Sequence, residues 1–224
     1  MNFVILSEKK WNESLLDRFY NDTVNKWYHI NNKAVFNLSN LDEIKPDKIF
    51  IPHWSYIIPK EIFENYECIV FHMTDLPFGR GGSPLQNLIE RGIYKTKISA
   101  LRVVEELDAG DIYLKKDLEL YGSAEEIFLR ANDIIFEMIN EIVKKDLKPY
   151  PQEDEPVIFK RRKKGQSSIN ELNDIVKIYD YIRMLDAEGY PKAFIDFNDI
   201  RIEFSRAQLK ADKSVIADVR IFKK

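Results

Sequence analysis

Apolar residues in this chain come in short runs broken by turn residues, and the runs alternate with stretches of helical spacing. Phe3–Leu6, Lys48–Pro52, Cys68–Phe71, Lys97–Val104 and Ile112–Leu120 read as strands. Trp11, Leu15, Leu16 and Phe19 recur at helical spacing within Trp11–Tyr20. Leu41–Ile44 is a short helix closed by Pro46, Pro59 opens another, and Leu85–Arg91 is a third before the turn at Gly92. Trp27–Ile30 and Lys33–Phe36 read as two further short strands around the turn pair Asn31-Asn32. Ser123 with Glu126 forms a capping-box pattern, and Ile127, Ala131, Ile134, Met138 and Ile142 behind it give one apolar helical face. Strands alternating with helices make an α/β sheet domain.

Pro149, Pro151 and Pro156, with acidic residues between them, mark a linker. The predicted division is therefore residues 1–150 and an extension at 151–224. The extension holds a basic run, Lys160–Lys164, a helix at Ile175–Leu185, and strand-like segments at Ile200–Phe204 and Val215–Phe222. The small second domain is thus β-rich.

At 224 residues the chain can bury a full core. A formal net charge of −3 argues against a partner that is a nucleic acid, since such proteins usually carry a basic face. Cys68 is the single cysteine, so there is no disulfide framework and no thiolate metal site. The apolar run in MNFVILSEKKW is too short for a signal peptide or a membrane span, and a cytoplasmic location is expected. After the first strand the chain reads Ser7-Glu8-Lys9-Lys10, without the glycines of a dinucleotide-binding turn.

Chemically able groups concentrate in residues 67–113. His72 ends one strand run and Asp108 follows another, which places both at the carboxyl edge where open α/β sheets bind ligands. Between them lies a loop rich in Gly and Pro.

The stretch resembles the formyltransferase catalytic domain. Its marks are Val70-Phe71-His72-Met73-Thr74-Asp75-Leu76-Pro77, Arg80-Gly81-Gly82-Ser83-Pro84 and Leu107-Asp108-Ala109-Gly110-Asp111, with His72 and Asp108 36 positions apart. The family carries an Asn two residues before the His. Here that position is Val70. Residues 182–194, IRMLDAEGYPKAF, resemble the segment leading into a small β-rich domain in methionyl-tRNA and sugar formyltransferases.

The resemblance implies a Rossmann-like fold, 10-formyltetrahydrofolate as co-substrate, and formyl transfer to an amine. His72 would accept the proton and stabilise the oxyanion, and Asp108 would orient it. Losing the family's Asn costs on the order of 2.7–4 kcal/mol unless another donor replaces it. His53, Asn87 or a loop N–H could do so, and His53 is favoured because neighbouring strand ends converge. Tyr56, Ile58, Glu105 and Leu107 are the folate-side candidates. Arg80, Gly81 and Gly82 are the acceptor-side candidates, with Arg80 equally able to brace its loop. No metal is implied.

The chain is short and acidic, and its motif most resembles that of bacterial sugar N-formyltransferases of surface-sugar synthesis, including the pseudaminic-acid type, which implies a UDP- or dTDP-linked 4-amino-dideoxy sugar as acceptor. Two alternatives stay open: a methionyl-tRNA formyltransferase-like protein, and a degenerate member that binds folate or sugar nucleotide without turnover. No membrane partner is expected, and an exposed apolar face on the tail would favour a homodimer.

Overall fold

The computed structural model describes all 224 residues, Met1 to Lys224. They divide into two compact units. The first is Met1–Gly81, Thr96–Leu118 and Leu129–Ile158, and the second is Gly82–Lys95, Glu119–Phe128 and Phe159–Lys224. The chain therefore crosses between units several times, where one crossing near residue 150 was expected.

The first unit is built on β1 (Asn2–Ser7), β2 (Lys26–Ile30), β3 (Lys48–His53), β4 (Cys68–His72), β6 (Lys95–Arg102) and β7 (Ile112–Glu119). Their order is β2-β1-β3-β4-β6-β7. β5 (Phe78–Gly81) stands apart from this sheet, pairing with β8 (Val157–Phe159). β1 to β4 run parallel, and β1 and β3 are almost wholly buried because helices cover both faces.

One face carries Val4, Leu6, Ile49, Ile51 and Cys68. It packs against Leu41 of α2 (Leu38–Ile44) and Ile62 of α3 (Lys60–Phe63). The other carries Phe3 and Phe50, which pack on Trp27; Trp27 in turn stacks on Phe19 of α1 (Glu13–Tyr20) at 4.1 Å. Phe19 also meets Phe136 of α5 (Ala124–Lys145). Each such large apolar side chain contributes roughly 1.5–3 kcal/mol when fully buried. Cys68 is buried and behaves as a small hydrophobe; desolvation pushes its thiol up to about 12. No helix is long and apolar enough to cross a membrane.

Two readings change. Lys33–Phe36 is not a strand. Asn32 Oδ1 accepts the Ala34 N–H at 2.9 Å and the Asn32 carbonyl accepts the Val35 N–H at 3.1 Å, so local turn chemistry wins and only Phe36 enters the core. The sheet is also mixed. β6 runs antiparallel to β4, pairing Ile69 with Arg102 and His72 with Ser99. The carboxyl end of β6 thus lies at the amino end of β4.

The β6 terminus holds a partly buried ion cluster. Lys48, 8 % exposed, donates to Glu67 at 2.6 Å, Tyr113 donates to the same oxygen at 2.7 Å, and Arg102 stands 3.8 Å away. Burial opposes ionisation of Glu67, but these partners outweigh it and hold its carboxyl below its ordinary value. A depressed carboxylate stabilises the fold above its unfolded value and loses that contribution as pH falls through its folded value. Wild-type stability should therefore drop as pH falls below about 4.5. Glu67→Gln should flatten that part of a urea-midpoint profile, and an unchanged slope would deny the cluster its stabilising role.

In the second unit α4 (Pro84–Glu90) and α6 (Ile175–Arg183) pack together, and α6 packs on β10 (Ile200–Leu209). Arg183 is buried at the end of α6. It pairs with Asp180 at 2.7 Å and donates to the carbonyls of Leu120 and Gly122. Those bonds explain why residues 119–128 belong here: buried donors need fixed acceptors. The predicted capping box forms, with Ser123 N–H donating to Glu126 at 2.7 Å. β9 (Ala193–Phe197), β10 (Ile200–Leu209) and β11 (Val215–Lys223) make the β-rich part, an antiparallel sheet with Phe197, Val219 and Ile221 exposed on one side.

Candidate active site

His72 closes β4 two residues after Val70, so strand alternation puts both on one face. Val70 is half-buried there against the core cluster of Val4, Leu6, Ile49, Ile51 and Cys68, as are Val103, Trp54 and Ile58. Asp108 reaches this face by a different route from the one expected. It leaves β6 at the far edge, and the loop at 103–111 returns it to the histidine. His72 Nδ1 and Asp108 Oδ2 are 3.6 Å apart, both side chains nearly buried. That is an electrostatic pair, longer than a hydrogen bond. The bond that orients the imidazole is instead made by the Gly79 carbonyl, 2.8 Å from Nε2. Both neighbours of the ring are acceptors.

Asp108 sits at φ 54, and its carboxylate accepts the Gly81 N–H at 2.9 Å. That bond is the work of Gly81, which has φ 105, a conformation suited to glycine. Gly82 is needed for room: a Cβ there would lie 2.6 Å from Cβ of Arg161. Arg80 braces its loop. Its Nε and Nη2 donate to Gln152 Oε1 at 3.1 and 2.9 Å, and Nη1 meets Glu106 at 3.1 Å. Of the two roles open to Arg80 in the sequence, the geometry supports this one over anion binding. Gln152 was invisible in the sequence, because it stands between prolines and acids in a stretch that reads as linker.

The candidates to replace the family's Asn fare poorly. Asn87 Nδ2 donates to the carbonyls of Gly82, Ser83 and Lys160, which occupies its hydrogens in holding the chain. His53 does not converge on His72. The β1–β3 register slips between Ile5 and Ser7, pairing Ser7 with His53 where unbroken pairing would reach Pro52. One extra residue reverses the side that a strand residue presents. The His53 ring lies edge-on to Trp11 at 5.5 Å, beside Ser7 and Asn12, whose own chain of bonds runs to Asn132 of α5. That is the face opposite α2 and α3.

The folate-side candidates fall on two loops. Tyr56 and Ile58 lie on the loop after β3, Glu105 and Leu107 on the loop after β6. Lys60 joins the two through Glu105 at 3.2 Å. Tyr56 is 44 % exposed and Leu107 56 %, with Ile57 and Val104 also uncovered. Bare aromatic and aliphatic side chains on these loops are of the kind that a flat pteridine ring with a benzoyl tail would need.

Comparison with known proteins shows the family. A methionyl-tRNA formyltransferase from Clostridium thermocellum is 55 % identical, with all of both chains covered and a TM-score of 0.97. The chain belongs to the formyltransferase family. Residues 24–128 match the formyl transferase family and residues 164–222 the methionyl-tRNA formyltransferase C-terminal domain. A methionyl-tRNA formyltransferase from Bacillus cytotoxicus is 34 % identical over 64 % of this chain and 48 % of its own. The chain spans about half the length of the curated relatives it matches. HypX from Aquifex aeolicus, solved with tetrahydrofolic acid, shares the fold at 20 % identity and TM-score 0.75, covering 92 % of this chain and 37 % of its own. The expected nucleotide-linked amino sugar, its role in surface-sugar synthesis, and the absence of a nucleic-acid partner do not stand. The formyltransferase matched along its full length at 55 % is a tRNA-directed one.

Proposed function

We propose that this protein is an N-formyltransferase that uses 10-formyltetrahydrofolate and formylates methionyl-tRNA. The full-length likeness to the Clostridium thermocellum protein carries this reading. The objection from net charge fails physically, because RNA is held by a local field and not by the sum. Lys160, Arg161, Lys163 and Lys164 are all exposed and concentrate positive charge in one short segment. Phosphate contacts of that kind position a nucleic acid without reading its sequence.

The co-substrate supplies a formyl group activated for attack by an amine. Tyr56, Ile58, Val104, Glu105 and Leu107 would hold its folate end. His72 Nδ1 takes the proton released by the amine nitrogen as the new carbon–nitrogen bond forms, offers it to the formyl oxygen while charged, and gives it to the folate nitrogen as the old carbon–nitrogen bond breaks; Nε2 stays on the Gly79 carbonyl. Asp108 stabilises that charge across 3.6 Å, and Gly79 holds the ring. With Val70 in place of an amide donor, His72 carries both tasks.

Incubation with 10-formyltetrahydrofolate and methionyl-tRNA should yield formylmethionyl-tRNA, measured by mass after deacylation. Val70 favours one other reading, a protein that binds folate and tRNA without turnover. Binding of both with no formylated product would select it, and product only from amino sugars would overturn the RNA reading.

A further inference from the structure

Gln152 spends its whole side-chain amide on the loop that carries Asp108. Its Nε2 donates to the Asp108 carbonyl at 2.9 Å and to the Gly110 carbonyl at 2.8 Å. Its Oε1 takes two bonds from Arg80, which is itself nearly buried and tied to Glu106 of the same loop. Two hydrogens and two lone pairs are all that a primary amide has. Arg80 also precedes Gly81, whose N–H holds the Asp108 carboxylate. One amide thus ties backbone carbonyls at 108 and 110 to the segment that grips the carboxylate. The arrangement is costly to break, since each orphaned carbonyl would lose its partner in a half-buried place.

We propose that Gln152 is a positioning residue that sets Asp108 against His72, an inference that rests on the catalytic roles given above to those two residues. The amide acts through the Asp108 loop and touches no reacting atom. Glutamate has the same shape but presents oxygen where the two carbonyls need a donor.

Gln152→Glu should lower kcat by about 10- to 100-fold while KM for either substrate moves by less than about threefold, since misplacement within a bound complex is felt in the transition state. The imidazole 15N signals of His72, identified by their loss in His72→Asn, should shift in the free Gln152→Glu protein. Glu153→Gln, exposed beside it, should move neither readout. Gln152→Ala gives the same two measurements if the glutamate variant fails to fold. His72 signals that coincide with wild type overturn the proposal, and so do shifted signals with unchanged kcat. If the wild-type protein transfers no formyl group, the function proposed above fails; the His72 signals still show whether the amide sets the pair.

Discussion

His72→Asn should cut formyl transfer at saturating substrates by about 10³-fold or more, and Asp108→Asn by about 10²- to 10⁴-fold. The two losses have different physical origins. Asparagine at 72 keeps a donor but cannot take the amine's proton, so the step loses its base. At 108 the amide is neutral and no longer offsets charge on a ring 3.6 Å away in a nearly buried pair. The Gly81 N–H bond can still be accepted by the amide oxygen, so the loop should keep its shape. Unchanged circular dichroism and a thermal midpoint near wild type would show that the fold survives. The two effects should also fail to add, because the residues act as one unit. Activity within about threefold of wild type in both variants would remove them from the chemistry.

Gly110→Ala should destabilise the protein by more than about 3 kcal/mol in a urea titration. The added Cβ would stand 1.8 Å from the Arg102 carbonyl oxygen and 2.9 Å from its carbon. These are backbone atoms at the end of β6, and the Arg102 N–H is bound to the Asp111 carbonyl at 2.9 Å. Neither side can yield without opening that pairing. Gly92→Ala is the control. Nothing lies within 4 Å of its missing Cβ and only its φ of 71° opposes a side chain, a cost of about 1–2 kcal/mol. If the alanine at 110 proved no worse than the one at 92, the close approach of loop and strand would be refuted. Because Gly110 shares the Gln152 amide with Asp108, the variant should also lose activity beyond its loss of stability.

How much of this was readable beforehand differs between the fold and the site. The buried strands declared themselves as apolar runs, and the long helix by its capping box, because both signals come from residues adjacent along the chain. The acceptor was misjudged because net charge was taken as a proxy for a surface, when four exposed cations in one segment are what a phosphate backbone would meet. The compact units of the fold follow a different logic from a boundary drawn on prolines. Prolines near 150 mark a break in local structure, whereas membership of a unit depends on distant partners such as Arg183 reaching Leu120 and Gly122.

The sequence by itself determined most of the strands and helices and the glycine-dense loop, since period and turn chemistry are local properties, and its resemblance to a family singled out one imidazole and one carboxylate. Only the tertiary structure decided that β6 runs antiparallel, so that Asp108 returns across the sheet. It alone showed that a slipped register turns His53 away, that Asn87 is used up in holding backbone, and that Gln152 grips the catalytic loop. Each of these depends on which backbone groups become neighbours in space, and a buried donor or acceptor takes whatever partner folding brings to it.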